Sequence, residues 1–138
     1  MEKQLKSIGI IKTPYNNLKD CPHNISDCGP MCEIIVKKEY EAGLLGLNKN
    51  IRIMVLYWLD KCENIKLNLQ VHSHADTENL RGIFSIRTSR RPNPIGVAIV
   101  NILEIDGNSI FIKGLDCLDG TVLIDIKPAI LQELNETK

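Results

Sequence analysis

The sequence predicts a mainly β protein, a small single-sheeted antiparallel barrel with one or two short helices. Several short segments alternate apolar and polar residues with a period of two, which is typical of strands buried on one face. Two Asp-Gly pairs, Asp106-Gly107 and Asp119-Gly120, are strong turn signals between such segments. Only one segment, residues 37–45, has clear helical spacing. Short strands with tight turns and few helices favour a closed antiparallel sheet.

The predicted strands of the first half differ in pattern. Residues 5–11 carry apolar side chains at four positions and end at Thr13-Pro14, and residues 33–36 form a short strand. Residues 51–59 become a continuous apolar run, as expected of a strand buried on both faces or at an interface. Residues 65–71 alternate cleanly and predict a half-buried strand.

One helix and two loops complete the first half. In residues 37–45, Tyr40 and Leu44 share a helical face, and Gly46 is placed to end the helix. Residues 16–30 and 72–79 are polar and rich in turn-forming residues, so both are predicted loops.

The second half is rich in strand signals. Residues 82–86 are strand-like, residues 95–105 form a long strand candidate, and residues 109–113 return after the first Asp-Gly turn. Residues 121–126 follow the second Asp-Gly pair as a further strand. After Pro128, the tail is a short helix or a frayed end.

Composition predicts one ordinary globular domain over residues 1–138, with 43% hydrophobic and 25% charged residues. The formal net charge is zero, so any binding to nucleic acid must come from a local patch. The charged amino terminus lacks an apolar signal segment and no apolar run reaches the length of a membrane span, which predicts a cytoplasmic protein. Five cysteines without an export signal do not suggest a disulfide framework.

The basic residues are concentrated in one stiffened segment. Four of the five arginines fall between residues 81 and 91, namely Arg81, Arg87, Arg90 and Arg91. Pro92 and Pro94 restrict the backbone after them, and Gly96 allows close backbone approach at the next strand. Fixed guanidinium groups suit planar recognition of phosphate or carboxylate. The alternative, a solvated basic loop, does not explain the rigid frame.

A second polar segment spans residues 114–128 and carries Asp116, Asp119 and Asp125, with Thr121 and Lys127 among them. Such carboxylates can hold ribose hydroxyls or an amine through charge-assisted hydrogen bonds. For Asp119 alone, a turn residue paired with Gly120 is the preferred interpretation. Asp125 lies between two isoleucines of a predicted strand, where an acid is disfavoured unless it is paired or exposed.

The common catalytic motifs are absent. None of the nine glycines forms G-x-G, so the dinucleotide fingerprint is missing, and the sequence has no P-loop. It also lacks the G-x-S-x-G elbow and the H-E-x-x-H zinc motif. These observations exclude the usual nucleotide enzymes but leave an unusual one open.

Two long motifs closely resemble the TsaA-like β-barrel family, the tRNA N6-methyltransferase O group. Residues 82–87 (GIFSIR) and 91–96 (RPNPIG) match its first motif. Leu115-Asp116, Asp119 to Thr121 and Asp125 to Pro128 match its second. Residues 40–58 and 8–15 are similar as well, so the resemblance covers most of the chain in the expected order.

The resemblance implies a β-barrel that is usually a homodimer and binds S-adenosylmethionine near the subunit interface. The family transfers the methyl group to N6 of threonylcarbamoyl-adenosine beside the tRNA anticodon. Transfer from a sulfonium is an in-line displacement that disperses positive charge, so positioning matters more than a strong base. No catalytic residue is assigned.

The resemblance also implies a set of site residues. Arg87 and Arg91 are candidates for the carboxylate of the cofactor or for a substrate phosphate. The adenosine end is expected beside Asn93, Ile95 and Gly96. The ribose or the methionine amine is expected beside Asp116, Asp119, Thr121 and Asp125. Pro92 and Gly120 are further candidate contacts for the cofactor. The candidate substrate contacts are Arg81, Arg90, Lys127, His72 and His74.

Three departures from the family pattern bear on the substrate. His72-Ser73-His74 stands where the family often has prolines and arginines, and Ala129 stands where it usually has tyrosine. The early loop, residues 21–32, reads CPHNISDCGPMC instead of the common P-R-Q. With His23, its three cysteines are candidate ligands for zinc or an iron–sulfur cluster: Cys21, Cys28 and Cys32. Their spacing does not match a C-x-x-C knuckle, so free thiols or a substrate-contacting loop are the alternatives.

Three functions follow from these observations. The first is methylation of tRNA with S-adenosylmethionine. The second is methylation of a different substrate admitted by the altered loop. The third is a non-catalytic module that binds metal or nucleotide through the loop of Cys21, Cys28 and Cys32.

Overall fold

Alternating apolar residues give the chain short strands joined mostly by turns and loops. The computed structural model describes residues 1–62 and 65–134. Within them lie nine strands: β1 (Gly9–Lys12), β2 (Met31–Val36), β3 (Arg52–Trp58), β4 (Gln70–Val71), β5 (Arg81–Gly82), β6 (Ile95–Asn101), β7 (Glu104–Asp106), β8 (Ser109–Lys113) and β9 (Thr121–Pro128). Short 3₁₀ helices cover Leu18–Asp20, Lys38–Leu44, Asp60–Cys62 and Ile83–Ser85, and one α-helix, α1, covers Leu131–Leu134.

Seven of these strands form one antiparallel sheet in the order β6-β3-β9-β1-β2-β8-β7, and β4 pairs with β5 separately. The mainly β, antiparallel prediction is therefore confirmed. Side chains along β2 and β3 alternate between buried and more exposed positions, as the period of two requires. The buried side chains form one apolar cluster that includes Ile11, Ile34, Ile53, Val55, Val100, Ile110, Ile112 and Leu123.

The outer strands of this order, β6 and β7, are separated in the chain by only two residues, Ile102 and Leu103. The Ile102 N–H donates to the Ile51 carbonyl (2.9 Å), just before β3, and the Leu103 N–H donates to the Phe111 carbonyl on β8 (2.8 Å). These neighbouring residues thus bond beside β3 and on β8, which are the second strands from the two ends of the strand order. Closure of the sheet into a barrel stays a prediction, and the long strand predicted over residues 95–105 is divided into β6 and β7.

Both Asp-Gly turns are confirmed. Asp106 pairs with Ser109, which leaves Gly107 and Asn108 as the two-residue loop of the β7–β8 hairpin. Gly107 has a φ of +61° and Gly120 a φ of +83°, in the left-handed region that glycine adopts without a steric penalty. β9 begins at Thr121, directly after the second turn.

The half-buried strand predicted over residues 65–71 is wrong. Only Gln70 and Val71 are in a strand, paired with β5, while Leu67 and Leu69 are 40% and 61% exposed. A period of two produces a strand only where a partner edge supplies hydrogen bonds, and the seven-stranded sheet does not include this segment.

The strand predicted over residues 82–86 is also wrong beyond Gly82. Ile83–Ser85 is a 3₁₀ turn whose Ile83 side chain is buried. The Ser85 hydroxyl donates to the Gly82 carbonyl (2.7 Å), a local bond that competes with strand pairing.

The other predicted elements agree more closely with the structure. The helix predicted over residues 37–45 is present as the 3₁₀ helix Lys38–Leu44, with Leu44 packed against the core. β1 starts later than predicted, at Gly9, and β2 starts earlier, at Met31. The predicted tail helix is α1, and residues 135–138 lie outside the described residues. No helix in residues 1–62 or 65–134 is long and apolar enough to cross a membrane.

Candidate functional site

Tyr57 on β3 lies where the two sequence motifs meet. β3 pairs with β6 on one side and with β9 on the other, and Tyr57 stands directly opposite Gly96. The Tyr57 side chain is only 2% exposed. A Cβ atom at position 96 would overlap the Tyr57 ring, so the glycine of the RPNPIG motif makes room for this ring.

The Tyr57 hydroxyl donates a hydrogen bond of 2.8 Å to Asp116 Oδ1, although the two residues are 59 positions apart. Asp116 is half-buried in the segment between β8 and β9. Burial, followed by the charge of Asp116, raises the pKa of Tyr57 above its ordinary value, and the charge of Arg87 acts in the opposite direction. The phenol is therefore a protonated donor at neutral pH.

Tyr57 did not emerge as a site residue from the sequence. It lies in the apolar run of residues 51–59, where every large side chain has the pattern of a core residue. The available signal was its hydroxyl, because a buried tyrosine in a core strand needs a hydrogen-bond partner.

A β-bulge lies beside Tyr57 in the pairing of β3 with β9. Leu56 pairs with Asp125, but Tyr57 pairs with Leu123, so Ile124 is an extra residue. Asp125 forms an ion pair with Lys127 (Nζ to Oδ2, 3.1 Å), and both side chains are exposed to solvent. The expectation that this strand acid is paired or exposed is confirmed, and it places Lys127 and Asp125 together.

Asp119, Gly120 and Thr121 tie the second motif to the start of the chain. The Thr13 N–H donates to Asp119 Oδ1 (3.1 Å), and the Gly120 N–H donates to the Ile11 carbonyl (2.8 Å). The Thr121 hydroxyl donates to the Leu118 carbonyl (2.6 Å). These contacts fit the interpretation of Asp119 as a turn residue and show that Thr121 closes the same turn.

The four arginines of the basic segment make different contacts. Arg91 Nη1 donates to the carbonyls of Ile83 (3.0 Å), Ile86 (3.0 Å) and Thr88 (3.2 Å). Its guanidinium lies over the Phe84 ring, 5.7 Å from the centroid. Arg91 therefore stabilises the conformation of residues 83–91. The next two residues of the RPNPIG motif, Pro92 and Asn93, are exposed.

The other three arginines are exposed. Arg87 Nη2 donates to the Val97 carbonyl on β6 (3.3 Å), which keeps its charge near Tyr57.

Arg81 forms an ion pair with Asp76 (3.2 Å). The side-chain amide of Asn79 first, and Arg81 with it, lower the pKa of Asp76, so this carboxylate organises the loop before β5. Arg90 donates its backbone N–H to the Thr88 hydroxyl (3.3 Å).

The loop of residues 21–30 lies next to the segment that carries Asp116. The Ser26 N–H donates to the Gly114 carbonyl (3.0 Å), and the Gly114 N–H donates to the Pro30 carbonyl (2.9 Å). Gly114 has a φ of +79°, and a Cβ there would overlap the Ser26 backbone. Burial, and then the charge of Asp116, raise the pKa of Cys21, which places this thiol near the carboxylate.

The same loop contacts the histidine segment that departs from the family pattern. The rings of His23 and His74 lie 4.3 Å apart between centroids at an angle of 45°. His72 is exposed in the same segment. The two unusual segments of the sequence are therefore in contact, and the loop of residues 21–30 and the segment of residues 72–76 are together called the rim below.

The structure does not support the predicted metal site on Cys21, Cys28 and Cys32. Cys32 points into the core from β2, Cys28 is exposed, and Cys21 is half-buried. Throughout residues 1–62 and 65–134, no three His, Cys, Asp or Glu side chains are grouped so that they could hold a metal ion. The alternation of β2 explains the separation, because it turns Cys32 inward.

Two surface hollows lie largely apart from these residues. One, with a volume of about 590 Å³, lies along the helix Lys38–Leu44 and residues 45–48. The other, of about 300 Å³, is lined by Asp119 together with residues of β1 and β2. We place the candidate site at Tyr57 and Asp116 because their contact joins the two sequence motifs, whereas the linings of the two hollows include only Cys32 and Asp119 among the predicted site residues.

The fold and the site define a class of antiparallel β domains with a buried tyrosine between two polar segments. Here Tyr57 contacts Gly96 in the arginine-rich segment, residues 81–96, and Asp116 in the acidic segment, residues 114–128. Residues 10–133 match the family model described as the tRNA-methyltransferase O N-terminal domain. The chain belongs to this family.

Curated relatives agree with this assignment. A probable S-adenosyl-L-methionine-binding protein, VirR, from Rhizobium radiobacter is 40% identical over 88% of this chain and 67% of its own length. An S-adenosyl-L-methionine-binding protein from Archaeoglobus fulgidus is 41% identical over 89% of this chain and 86% of its own length.

Solved structures share the fold. A crystal structure of TrmO superposes with a TM-score of 0.75 at 22% identity, covering 94% of this chain and 58% of the other. TrmO from Pseudomonas aeruginosa gives a TM-score of 0.73 at 21% identity, covering 94% and 57%. The chain thus spans less than two thirds of the length of these proteins.

Proposed function

We propose that this chain is an S-adenosylmethionine-dependent methyltransferase whose acceptor is N6 of threonylcarbamoyl-adenosine next to the tRNA anticodon. The family match and the relatives described as S-adenosyl-L-methionine-binding proteins support the cofactor. The observation that carries the location of the site is the contact of Tyr57 with both family motifs, since its ring packs over Gly96 and its hydroxyl bonds to Asp116.

The residues at this point fit the chemistry of S-adenosylmethionine. The cofactor presents an ammonium group, a carboxylate, a ribose and an adenine. Asp116 is a half-buried carboxylate suited to the ammonium group, and Arg87 is an exposed guanidinium suited to the carboxylate. The adenosine end lies beside Asn93, Ile95 and Gly96 in this proposal, where Asn93 and Ile95 are exposed.

The remaining candidates have supporting roles in the proposal. Asp119 and Thr121 shape the acidic turn, because their side chains are engaged in bonds within the fold. Arg91 shapes the basic segment in the same way. The candidate contacts for the tRNA remain Arg81, Arg90, Lys127, His72 and His74.

Asp116 and Arg87 would hold S-adenosylmethionine, which would supply the methyl group. N6 would attack this group in line as the carbon–sulfur bond breaks with its electron pair left on sulfur, and the N6 proton would leave to water. The protein has to orient the two reactants. Oriented reactants gain most of the available acceleration from a fixed approach geometry, so the chain needs rigid contacts more than a strong base. The buried Tyr57 and the bonded Arg91 provide such rigidity.

Methyl transfer to defined tRNA tests this proposal. The chain is incubated with methyl-labelled S-adenosylmethionine and with tRNA that either carries or lacks the threonylcarbamoyl group. We expect label only in the modified tRNA, at the adenosine next to the anticodon. Equal labelling of both tRNAs, or of neither, would contradict the proposed acceptor.

A different methyl acceptor is the second candidate function. It is favoured by the rim, where His23 contacts His74 in segments that differ from the family pattern. If the chain binds S-adenosylmethionine but does not label tRNA, small-molecule extracts become the acceptors to assay. Label in one of them would establish this second function.

We also propose a closed barrel that pairs with a second copy. Ile102 and Leu103 bond to opposite ends of the strand order, which supports closure. An exposed apolar patch on and beside the β4–β5 hairpin supports pairing; its members are Leu67 (40% exposed), Leu69 (61%), Leu80 (59%) and Phe84 (77%).

Sedimentation velocity tests the pairing. We expect a dimer for the unchanged chain and a monomer for Phe84→Glu, because a carboxylate in an apolar interface is strongly disfavoured. Leu45→Glu is the matched control, since Leu45 is 94% exposed outside the patch. A dimer in all three proteins would exclude this patch, and a monomer in all three would exclude pairing.

A further inference from the structure

We propose that Tyr57 is a positioning residue that fixes the Asp116 carboxylate in the orientation needed to hold the ammonium group of S-adenosylmethionine. This inference rests on the proposed function, and it assigns to a core strand residue a role in ligand geometry. It follows from the position of the phenol, from the nature of the Asp116 segment and from the bond that joins them.

The phenol oxygen of Tyr57 has a fixed position. β3 is a central strand, with β6 and β9 bonded on its two sides, so its backbone is held along its length. The ring is almost completely buried and lies over Gly96, where no side chain competes for the space. A donor on such a support cannot follow a moving acceptor.

The Asp116 carboxylate, in contrast, belongs to a segment without regular structure between β8 and β9. A carboxylate on such a segment samples several rotamers unless another group restrains it. The bond of 2.8 Å from Tyr57 to Oδ1 supplies that restraint. With one oxygen anchored, the second carboxylate oxygen has a defined direction.

The restraint matters for methyl transfer because the methionine part of the cofactor orients the sulfonium. A carboxylate that holds the ammonium group in one direction limits the rotation of the attached chain. A displacement of about 1 Å at a positioning contact is enough to slow an in-line transfer markedly.

Tyr57→Phe tests the inference, because it removes the hydroxyl and keeps the buried ring. The affinity for S-adenosylmethionine is measured by calorimetric titration, and folding is checked by thermal unfolding. We expect binding that is about tenfold weaker, because the freed carboxylate then has to be ordered when the cofactor binds. Tyr40→Phe, on the exposed side of a 3₁₀ helix, is the matched control and is expected to bind like the unchanged chain.

The role of Asp116 is separated from a general packing effect by repeating the change in an Asp116→Asn background. If Tyr57 acts through the carboxylate, Tyr57→Phe has little further effect there. If it acts only by packing, it weakens binding by the same factor in both backgrounds, which would overturn the inference.

The outcomes distinguish this inference from the proposed function. If the unchanged chain does not bind S-adenosylmethionine, the proposed function fails and the inference with it. If the unchanged chain binds and Tyr57→Phe binds equally well, only the inference fails.

Discussion

Arg91 shows how a residue at the centre of a binding motif can serve the fold. The sequence predicts it as a contact for carboxylate or phosphate, because it follows a basic run and precedes two prolines. In the structure its Nη1 bonds to three carbonyls of the turn before it. The carbonyls of an irregular segment need such partners when water has limited access. Under the proposed function, the role of Arg91 therefore includes keeping Arg87 and Asn93 in place.

Replacing Arg91 by alanine removes these bonds and the contact with Phe84. We expect the free energy of unfolding, measured in urea, to fall by about 1–2 kcal/mol, since the lost bonds are only partly buried. The variant is also expected to bind S-adenosylmethionine more weakly while remaining folded. Arg90→Ala is the control, because the contact of Arg90 uses its backbone N–H. Unchanged affinity in Arg91→Ala would remove Arg91 from the site.

Cys117 is a buried thiol whose ionisation is opposed by the fold. Burial is the main cause that raises its pKa from 9.0 to about 12, and the charge of Asp116 adds to it. The folded chain thus keeps a proton that the unfolded chain loses between these values. The stability that this proton contributes is complete below pH 9 and is lost as the pH rises towards 12.

We therefore expect the free energy of unfolding to fall between pH 9 and pH 11, with a contribution from Cys117 of about 1.4 kcal/mol per pH unit. Cys117→Ala lowers stability at pH 7 through the small cavity it leaves, but its alkaline slope should be shallower. Urea unfolding at four pH values provides the comparison. Equal slopes in both proteins would show that this thiol does not contribute.

At the level of elements, the loop of residues 21–30 is attached to the sheet at Gly114. The Ser26 and Gly114 backbones are bonded so closely that no side chain fits between them. The conformation of Gly114 is also left-handed, so any other residue is strained there. This attachment keeps the loop of residues 21–30, and Cys21 within it, beside the Asp116 segment.

Gly114→Ala should therefore be much more harmful than the same change at Gly107. Both glycines have a positive φ, but a Cβ at Gly107 meets open space. We expect a loss of about 1–2 kcal/mol for Gly107→Ala and at least about 3 kcal/mol for Gly114→Ala, measured by urea unfolding. Similar losses in the two variants would mean that the loop moves away at little cost.

The elements that the sequence predicts well are those with local causes. The β7–β8 hairpin depends on Asp106-Gly107, and the start of β9 depends on Gly120, so neighbouring residues suffice. Residues 65–71 have an equally clear pattern, but a strand there needs a partner from elsewhere in the fold. Alternation alone cannot show whether that partner exists.

The sequence predicted the two motifs of the candidate site, but it did not predict Tyr57, the residue that joins them. Gly96 and Asp116 belong to recognisable sequence blocks, whereas Tyr57 lies in an apolar run far from both. Their contact arises only because β3 pairs with β6 and β9, with a bulge that shifts the register at Tyr57. The metal prediction failed for a similar reason, since the alternation of β2 separates Cys32 from the other loop cysteines.

At the scale of the whole molecule, the fold brings together three separate parts of the sequence. Residues 81–96 and residues 114–128 meet at Tyr57, and the loop of residues 21–30 is bonded to Gly114 in the second of these segments. Because the whole chain has no net formal charge, the proposed site depends on this local arrangement and not on a general attraction for anions. The chain has the fold of TrmO, and its rim differs in the residues expected to meet the substrate.

Calorimetric titration of the chain with S-adenosylmethionine tests the central claim most directly, with Asp116→Asn as the paired variant. We predict saturable binding to the unchanged chain and binding at least about tenfold weaker in the variant, because a carboxylate–ammonium pair is lost. S-adenosylhomocysteine is expected to compete for the same site. No measurable binding, or equal binding by both proteins, would contradict the account of this site.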